Sequence, residues 1–196
     1  MTQEPIHCLV LACGNTLRGD DGVGIWLGTW AEVRFRKDPS VRVIKGQQWT
    51  PELAEDLARA GSALFIDCSA ASAPGALNLI PVEPSPDSQG FATHHFAAAQ
   101  LLALSDELYG SRPASAQLFT IGAKSVELEE SLSDEVQAVL PDACALLEET
   151  VLAILNDPKL PVITRKPAKT KPPAKAGKQP GRASKRKRDR APDASP

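Results

Sequence analysis

The chain has 196 residues, 42% of them apolar and 23% charged, a composition that suits one globular domain with an appendage. No apolar run approaches the ~18 residues that a membrane-spanning helix needs, so no span is expected. The formal net charge of −2 hides an acidic body and a basic tail, so the overall balance singles out no partner.

Ile6 to Ala12 is short, mostly apolar and followed by glycine, as in a strand buried on both faces. Gly14-Asn15 makes a turn, and a second turn carries Asp20-Asp21 into an amphipathic segment. From Gly22 the apolar residues Val23, Trp26, Leu27, Trp30 and Val33 recur at three- and four-residue spacing. That spacing predicts a helix to about Lys37, stopping before Pro39. Val41–Ile44 reads as a second strand. Thr50-Pro51-Glu52 then offers an N-cap with proline in the first turn, Leu53 and Leu57 supply the buried face, and Gly61 is expected to end the helix.

Ala63-Leu64-Phe65-Ile66-Asp67 is a third apolar strand, ending on an acid. Pro74-Gly75 makes a turn, and Ala76 to Pro81 returns as a strand. A polar loop leads to Thr93-His94-His95, and Phe96, Leu101, Leu102, Leu104 and Leu108 mark another helix, ended by Gly110. Gln117 to Ile121 is the last strand. Ser133-Asp134-Glu135 caps a final helix with Val136, Val139, Leu140, Leu147, Val151 and Ile154 inside, where Pro141 should kink the helix or break it in two.

Five strands alternating with four helices predict an α/β fold: a three-layer α/β/α sandwich with a mostly parallel, twisted five-stranded sheet. The boundary falls near Pro158, giving a domain over 1–157 and an appendage over 158–196. Residues 159–196 hold 13 Lys/Arg against two acids, a net of +11, and residues 1–158 hold 9 basic and 22 acidic residues, a net of −13. The Lys/Pro/Arg-rich tail lacks the apolar content to offset its ordering entropy and is expected to be disordered.

Cys8, Cys13, Cys68 and Cys144 show no CxxC and no metal-ligand spacing. Three lie in or beside apolar strands, where a free cysteine acts as a small hydrophobe. With no basic-then-apolar pattern in Met1–Pro5, a reduced, cytoplasmic protein is expected. The phosphate-loop pattern is absent, and Gly22-Val23-Gly24 is too short for a dinucleotide fingerprint.

Asp20 and Asp21 sit where an N-cap acid would accept backbone N–H bonds and meet the helix dipole. Capping accounts for one of two adjacent, mutually repelling acids; a division of labour, one capping and one facing the cleft, accounts for both. Asp67 follows Leu64-Phe65-Ile66 directly and must reach solvent, a metal or a donor at the sheet edge, because an unpaired buried charge is costly. His94 and His95, taken singly, suit a solvated or structural role. Together, two carboxylates and an imidazole at strand-to-helix junctions suit a borderline divalent ion such as Ni²⁺ or Zn²⁺. Ser69 and Ser72 have no histidine nearby in sequence, and the cysteines read as buried, so no nucleophilic triad emerges.

At these residues the sequence resembles the [NiFe]-hydrogenase maturation endopeptidases, which trim the C-terminus of the hydrogenase large subunit. The resemblance covers about residues 6–155 and rests on blocks in order. These are Gly14-Asn15-Thr16-Leu17-Arg18-Gly19-Asp20-Asp21-Gly22, Phe65-Ile66-Asp67, Pro74-Gly75, Thr93-His94 with Leu101-Leu102-Ala103-Leu104, and Leu132-Ser133-Asp134-Glu135-Val136. It implies a phosphorylase/hydrolase-like α/β/α fold, with metal-holding positions Asp21, Asp67 and His94. Many members carry Glu where Asp21 stands. Counting back from Leu101-Leu102 favours His94, with His95 one position away, and the Gln-Leu-Gly usual after that histidine is missing here.

The resemblance further implies a cytoplasmic hydrolase, an aspartic-type or metal-assisted protease, with Asp21 and Asp67 as its catalytic acids; a monomer is expected. Its partner would be the [NiFe]-hydrogenase large-subunit precursor. Ni²⁺ would arrive in that precursor, with Zn²⁺ or Cd²⁺ able to stand in for it. Cleavage would use metal polarisation of the carbonyl or of a water, or a carboxylate acting as base on water. Two other readings remain from the residues: a metal-dependent hydrolase of a small substrate on the same sheet, and a nucleic-acid-binding protein acting through Lys185-Arg186-Lys187-Arg188. The tail's lack of aromatic residues and the acidic body weigh against nucleic acid.

Overall fold

Parallel neighbours need long crossovers, and the chain supplies a helix for each. The computed structural model describes residues 6–86 and 93–157, with backbone alone at 93–96. The expected tail and its boundary at 157/158 lie outside the described residues. The strands are β1 (Ile6–Cys13), β2 (Val41–Gly46), β3 (Ala60–Ser69), β4 (Leu77–Pro81) and β5 (Ser115–Gly122), and the helices are α1 (Val23–Phe35), α2 (Leu53–Ala58), α3 (Thr93–Tyr109) and α4 (Asp134–Leu155). The sheet order is β2-β1-β3-β5-β4. All pairings are parallel except the antiparallel edge pair β4–β5. Among the described residues no helix is long and apolar enough to cross a membrane.

Alternation along the central strands divides the core. Cys8, Val10 and Ala12 of β1, with Leu64, Ile66 and Cys68 of β3, pack with α1 and α4. Leu9 and Leu11, with Ala63 and Phe65, pack beneath α2 and α3. Side chains of a strand buried on both faces read as a continuous apolar run, which is why β1 and β3 stand out in the sequence. α1 lies so close to the sheet that a Cβ on Gly24 would come 2.0 Å from the Cys13 carbonyl oxygen.

Several boundaries differ from expectation. Gly61 lies inside β3, because α2 stops at Ala58 and the chain enters the sheet at Ala60. Glu52, not Thr50, occupies the cap position of α2, and it makes no side-chain bond to a helix amide. On α1 the buried residues are Val23, Gly24, Leu27, Gly28, Ala31 and Phe35. Trp26 and Val33 instead face outward, 42% and 62% exposed. The two glycines draw the helix down onto that narrower stripe and leave the larger side chains on its flank. α4 runs unbroken through Pro141.

The α4 terminus is held from a distance. Ser133 is its N-cap, accepting from the Val136 N–H at 3.4 Å. Asp20 holds Ser133 in turn, accepting from its N–H at 2.7 Å and its hydroxyl at 2.8 Å. The Lys124 and Ser125 N–H groups donate to the same carboxylate at 2.8 and 3.2 Å. Burial works to raise the Asp20 pKa, but the Ser133, Lys124 and Ser125 donors outweigh it and hold the carboxyl below its ordinary range.

Two predictions follow from this packing. Gly24→Ala forces α1 off the sheet and should cost about 1–3 kcal/mol in denaturant unfolding, the scale of overpacking a core. Asp20→Asn should cost about 1–3 kcal/mol near neutral pH, the scale of losing charge-assisted bonds. Because the folded pKa is depressed, the Asp20 contribution is whole above the ordinary carboxylate pKa of ~4 and is lost as pH falls through the lower folded value. The stability gap between wild type and Asp20→Asn, measured by unfolding across that range, should therefore close in acid.

Candidate active site

In an open α/β sheet the loops leaving two neighbouring strands in opposite directions part at the carboxyl edge and open a crevice. Here the parting lies between β1 and β3, since the chain passes from β1 to β2 on one side and reaches β3 on the other. The last paired residues are Ala12 and Ile66. Cys13 and Asp67 follow them, so Asp67 stands at the mouth of the crevice.

The loop after β1 doubles back over that point. Gly14 has φ +145°, and a Cβ there would meet the Asp21 carbonyl oxygen at 1.9 Å, so only glycine permits the fold-back. The Asn15 side chain accepts from the Leu17 N–H at 3.0 Å, tightening the turn. The Asn15 N–H donates to Asp21 Oδ2 at 2.8 Å and aims that carboxylate inward. Residues Gly19–Gly22 form one turn of 3₁₀-helix, in which successive side chains point about 120° apart. Asp20 thus turns to the α4 cap and Asp21 to the sheet. The expected capping acid is not found, since the N-terminus of α1 has no side-chain cap; Asp20 instead holds Ser133, the N-cap of α4, and Asp21 faces the crevice.

Asp67 is fully buried. β3 continues two residues past it to Ser69, so it is not the strand's last residue. The Cys68 N–H donates to Asp67 Oδ1 at 2.7 Å, and the Cys13 thiol hydrogen-bonds the same carboxyl group. The Cys68 thiol donates to Asp21 Oδ1 at 3.2 Å. Burial first, and then the Asp67 carboxylate, push both thiols well above the ordinary cysteine range. All four cysteines are free thiols. Cys13 and Cys68 were legible only as apolar strand residues; nothing in their spacing announced that they flank the carboxylates.

Asp21, Asp67 and Cys68 each offer one donor atom, and these atoms lie within 4.8 Å of one another. Donors on one tetrahedral ion with bonds of about 2.0–2.3 Å stand roughly 3.3–3.8 Å apart, so small side-chain adjustments suffice. Two carboxylates and a thiol fit a borderline ion such as Ni²⁺ or Zn²⁺ better than a hard one. His94 and His95 lie in the first turn of α3, not on a loop before it; their side chains are outside the described residues. Ser69 and Ser72 bond each other at 2.9 Å.

Beside Asp21 a cleft of about 570 Å³ opens over the carboxyl ends of β1 and β2, lined by Asn15, Arg18, Lys45, Gln47, Gln48 and Trp49 among others. Trp49 is anchored by its indole N–H to the Leu11 carbonyl at 3.2 Å and by an edge-to-face contact with Phe65, with centroids 5.0 Å apart. It forms a fixed apolar wall in a cleft that mixes apolar residues such as Ile44 and Leu53 with polar ones. No sequence signal marked this loop.

No protein-family model matches the chain, and no curated protein matches it. Solved structures do. The hydrogenase maturating endopeptidase HybD from E. coli is similar at 21% identity over 74% of this chain and 92% of its own, with a TM-score of 0.62. The [NiFe] hydrogenase maturation protease HybD from Thermococcus kodakarensis is similar at 25% identity, over 73% and 97%, with a TM-score of 0.55. The maturation protease HycI from Thermococcus kodakarensis KOD1 gives 18%, over 80% and 96%, also at 0.55. The chain has the fold of the hydrogenase maturation endopeptidases.

Proposed function

We propose that the protein is an endopeptidase that removes the C-terminal peptide of a [NiFe]-hydrogenase large-subunit precursor after nickel has been inserted. One observation supports this most: on the fold of the maturation endopeptidases, Asp21 and Asp67 converge at the crevice between β1 and β3. Asp21, Asp67 and His94 would hold the nickel that the precursor carries, and the metal is then part of the substrate. Bound there, it supplies positive charge that polarises the scissile carbonyl.

The chain's own groups divide the remaining work. Asp67, fixed on a buried strand by the Cys68 N–H, gives the site a rigid anchor. Asp21 is half-buried and borders the cleft, which places it to act as base on an attacking water. The cleft takes the peptide that flanks the cut, with Trp49 as an apolar wall and Gln47 and Gln48 offering amides to its backbone. Docking through the metal makes cleavage conditional on nickel, so only a loaded large subunit is trimmed.

The test is incubation with nickel-loaded precursor, followed by the loss of its C-terminal peptide in mass. Asp21→Asn, Asp67→Asn and His94→Ala should each slow trimming by about 100-fold or more, the scale of losing a positioned acid-base group. His95→Ala should do little; the opposite result for the two histidines reassigns the ligand. Nickel-free precursor should remain uncut, and trimming at equal rates with and without nickel would defeat the gating.

A further inference from the structure

The Cys68 thiol occupies the carboxylates' own space, and the reaction proposed above makes no use of it. Its sulfur is 3.2 Å from Asp21 Oδ1, and its backbone N–H is bonded to Asp67 Oδ1 at 2.7 Å. One residue thus touches both acids through different atoms. We propose that Cys68 is a sulfur ligand of this centre, giving the chain an O,O,S donor set from Asp21, Asp67 and Cys68. This rests on the metal-recognising reading of the site and names a donor that reading lacks.

Three features carry it. The first is position: the three donor atoms already cluster within 4.8 Å. The second is rigidity. Cys68 lies in β3 two residues past its last pair with β1 but still in register with Ile121 of the parallel β5, so its sulfur is delivered by the sheet and not by a loop. The third is donor chemistry. The neighbouring inward positions on this face of β3, Leu64 and Ile66, are apolar and pack into the core. Cys68 shares their face and packs into the same core, and its sulfur is in addition directed at a carboxylate.

The thiol proton now lies between sulfur and carboxylate oxygen. Binding of a metal by this sulfur would release that proton to solvent. Carboxylates alone favour hard ions such as Mg²⁺ and Mn²⁺; a thiolate shifts the preference toward Ni²⁺, Zn²⁺ and Cd²⁺. Cys68 would therefore be the residue by which this chain discriminates between metals. Cys13 does not share the role: its thiol is likewise bonded to a carboxylate, that of Asp67, but it lies outside the three-donor cluster.

Cadmium titrated into the full-length protein tests this without any precursor. Wild type should develop one equivalent of thiolate-to-metal charge-transfer absorption in the ultraviolet. Cys13→Ser should keep the band. Cys68→Ser should lose it and bind cadmium about tenfold or more weakly, at least the scale on which a metal site's outer partners act, with manganese binding unchanged. Circular dichroism checks that Cys68→Ser is folded, and cadmium NMR of the wild type reports a sulfur ligand with no variant at all. A wild type without the band at saturating cadmium, or a band that survives Cys68→Ser, overturns the assignment. Precursor trimming by wild type is scored separately: trimming without the band sinks the sulfur ligand alone, whereas the band without trimming sinks the protease reading alone.

Discussion

A carboxylate on a fully buried central strand is the constraint that the rest of this structure answers. Asp67 has no exposed surface, and a charge taken out of water costs several kcal/mol unless donors replace the lost hydration. The surrounding chain supplies them: the next residue's N–H at 2.7 Å and the Cys13 thiol from the neighbouring strand. The same requirement fixes the loop after β1. That loop folds back over the crevice, and glycine at position 14 allows the close approach.

Closing the loop brings a second carboxylate to the first, which is unfavourable by itself. The adjacent pair Asp20-Asp21 shows how the chain meets that cost. A single 3₁₀ turn sends the two side chains apart. One is surrounded by four donors around the α4 terminus; the other meets one amide and one thiol. The well-satisfied acid anchors the turn, and that anchorage holds its sparsely satisfied neighbour at the crevice. Stability contributed at Asp20 thus offsets the repulsion that bringing Asp21 beside Asp67 incurs.

The sheet was legible because its central strands are buried on both faces and so appear as uninterrupted apolar runs, as in Leu9–Ala12 and Ala63–Ile66. The carboxylates were legible for a related reason, since an acid directly after such a run has to be accounted for. The cysteines were not. A thiol in an apolar strand has the same sequence signature whether it packs against leucine or points at a carboxylate, and only the register of β1 against β3 separates Cys8 from Cys13 and Cys68. The buried stripe of α1 was misread because periodicity weights large side chains. Contact is in fact made through Gly24 and Gly28, which let the helix descend, and Trp26 is left outside. Gly61 was misread as a helix stop because glycine ends helices and enters tight strands alike.

The resting site carries its donors in a particular balance. Each inward-facing carboxylate is bonded by a cysteine thiol, and burial together with the acids holds both thiols in the protonated form. Thiols are weak donors, so they satisfy the carboxylates less completely than amides or a guanidinium would. A cation therefore finds two acids already positioned, each held by one backbone amide and by one thiol that is easily displaced. A strong ion pair in the same place would stabilise the domain more and would have to be broken before a metal could enter. On the proposed function this weak satisfaction is the useful property, because it leaves binding energy to be realised only when a metal-bearing substrate arrives.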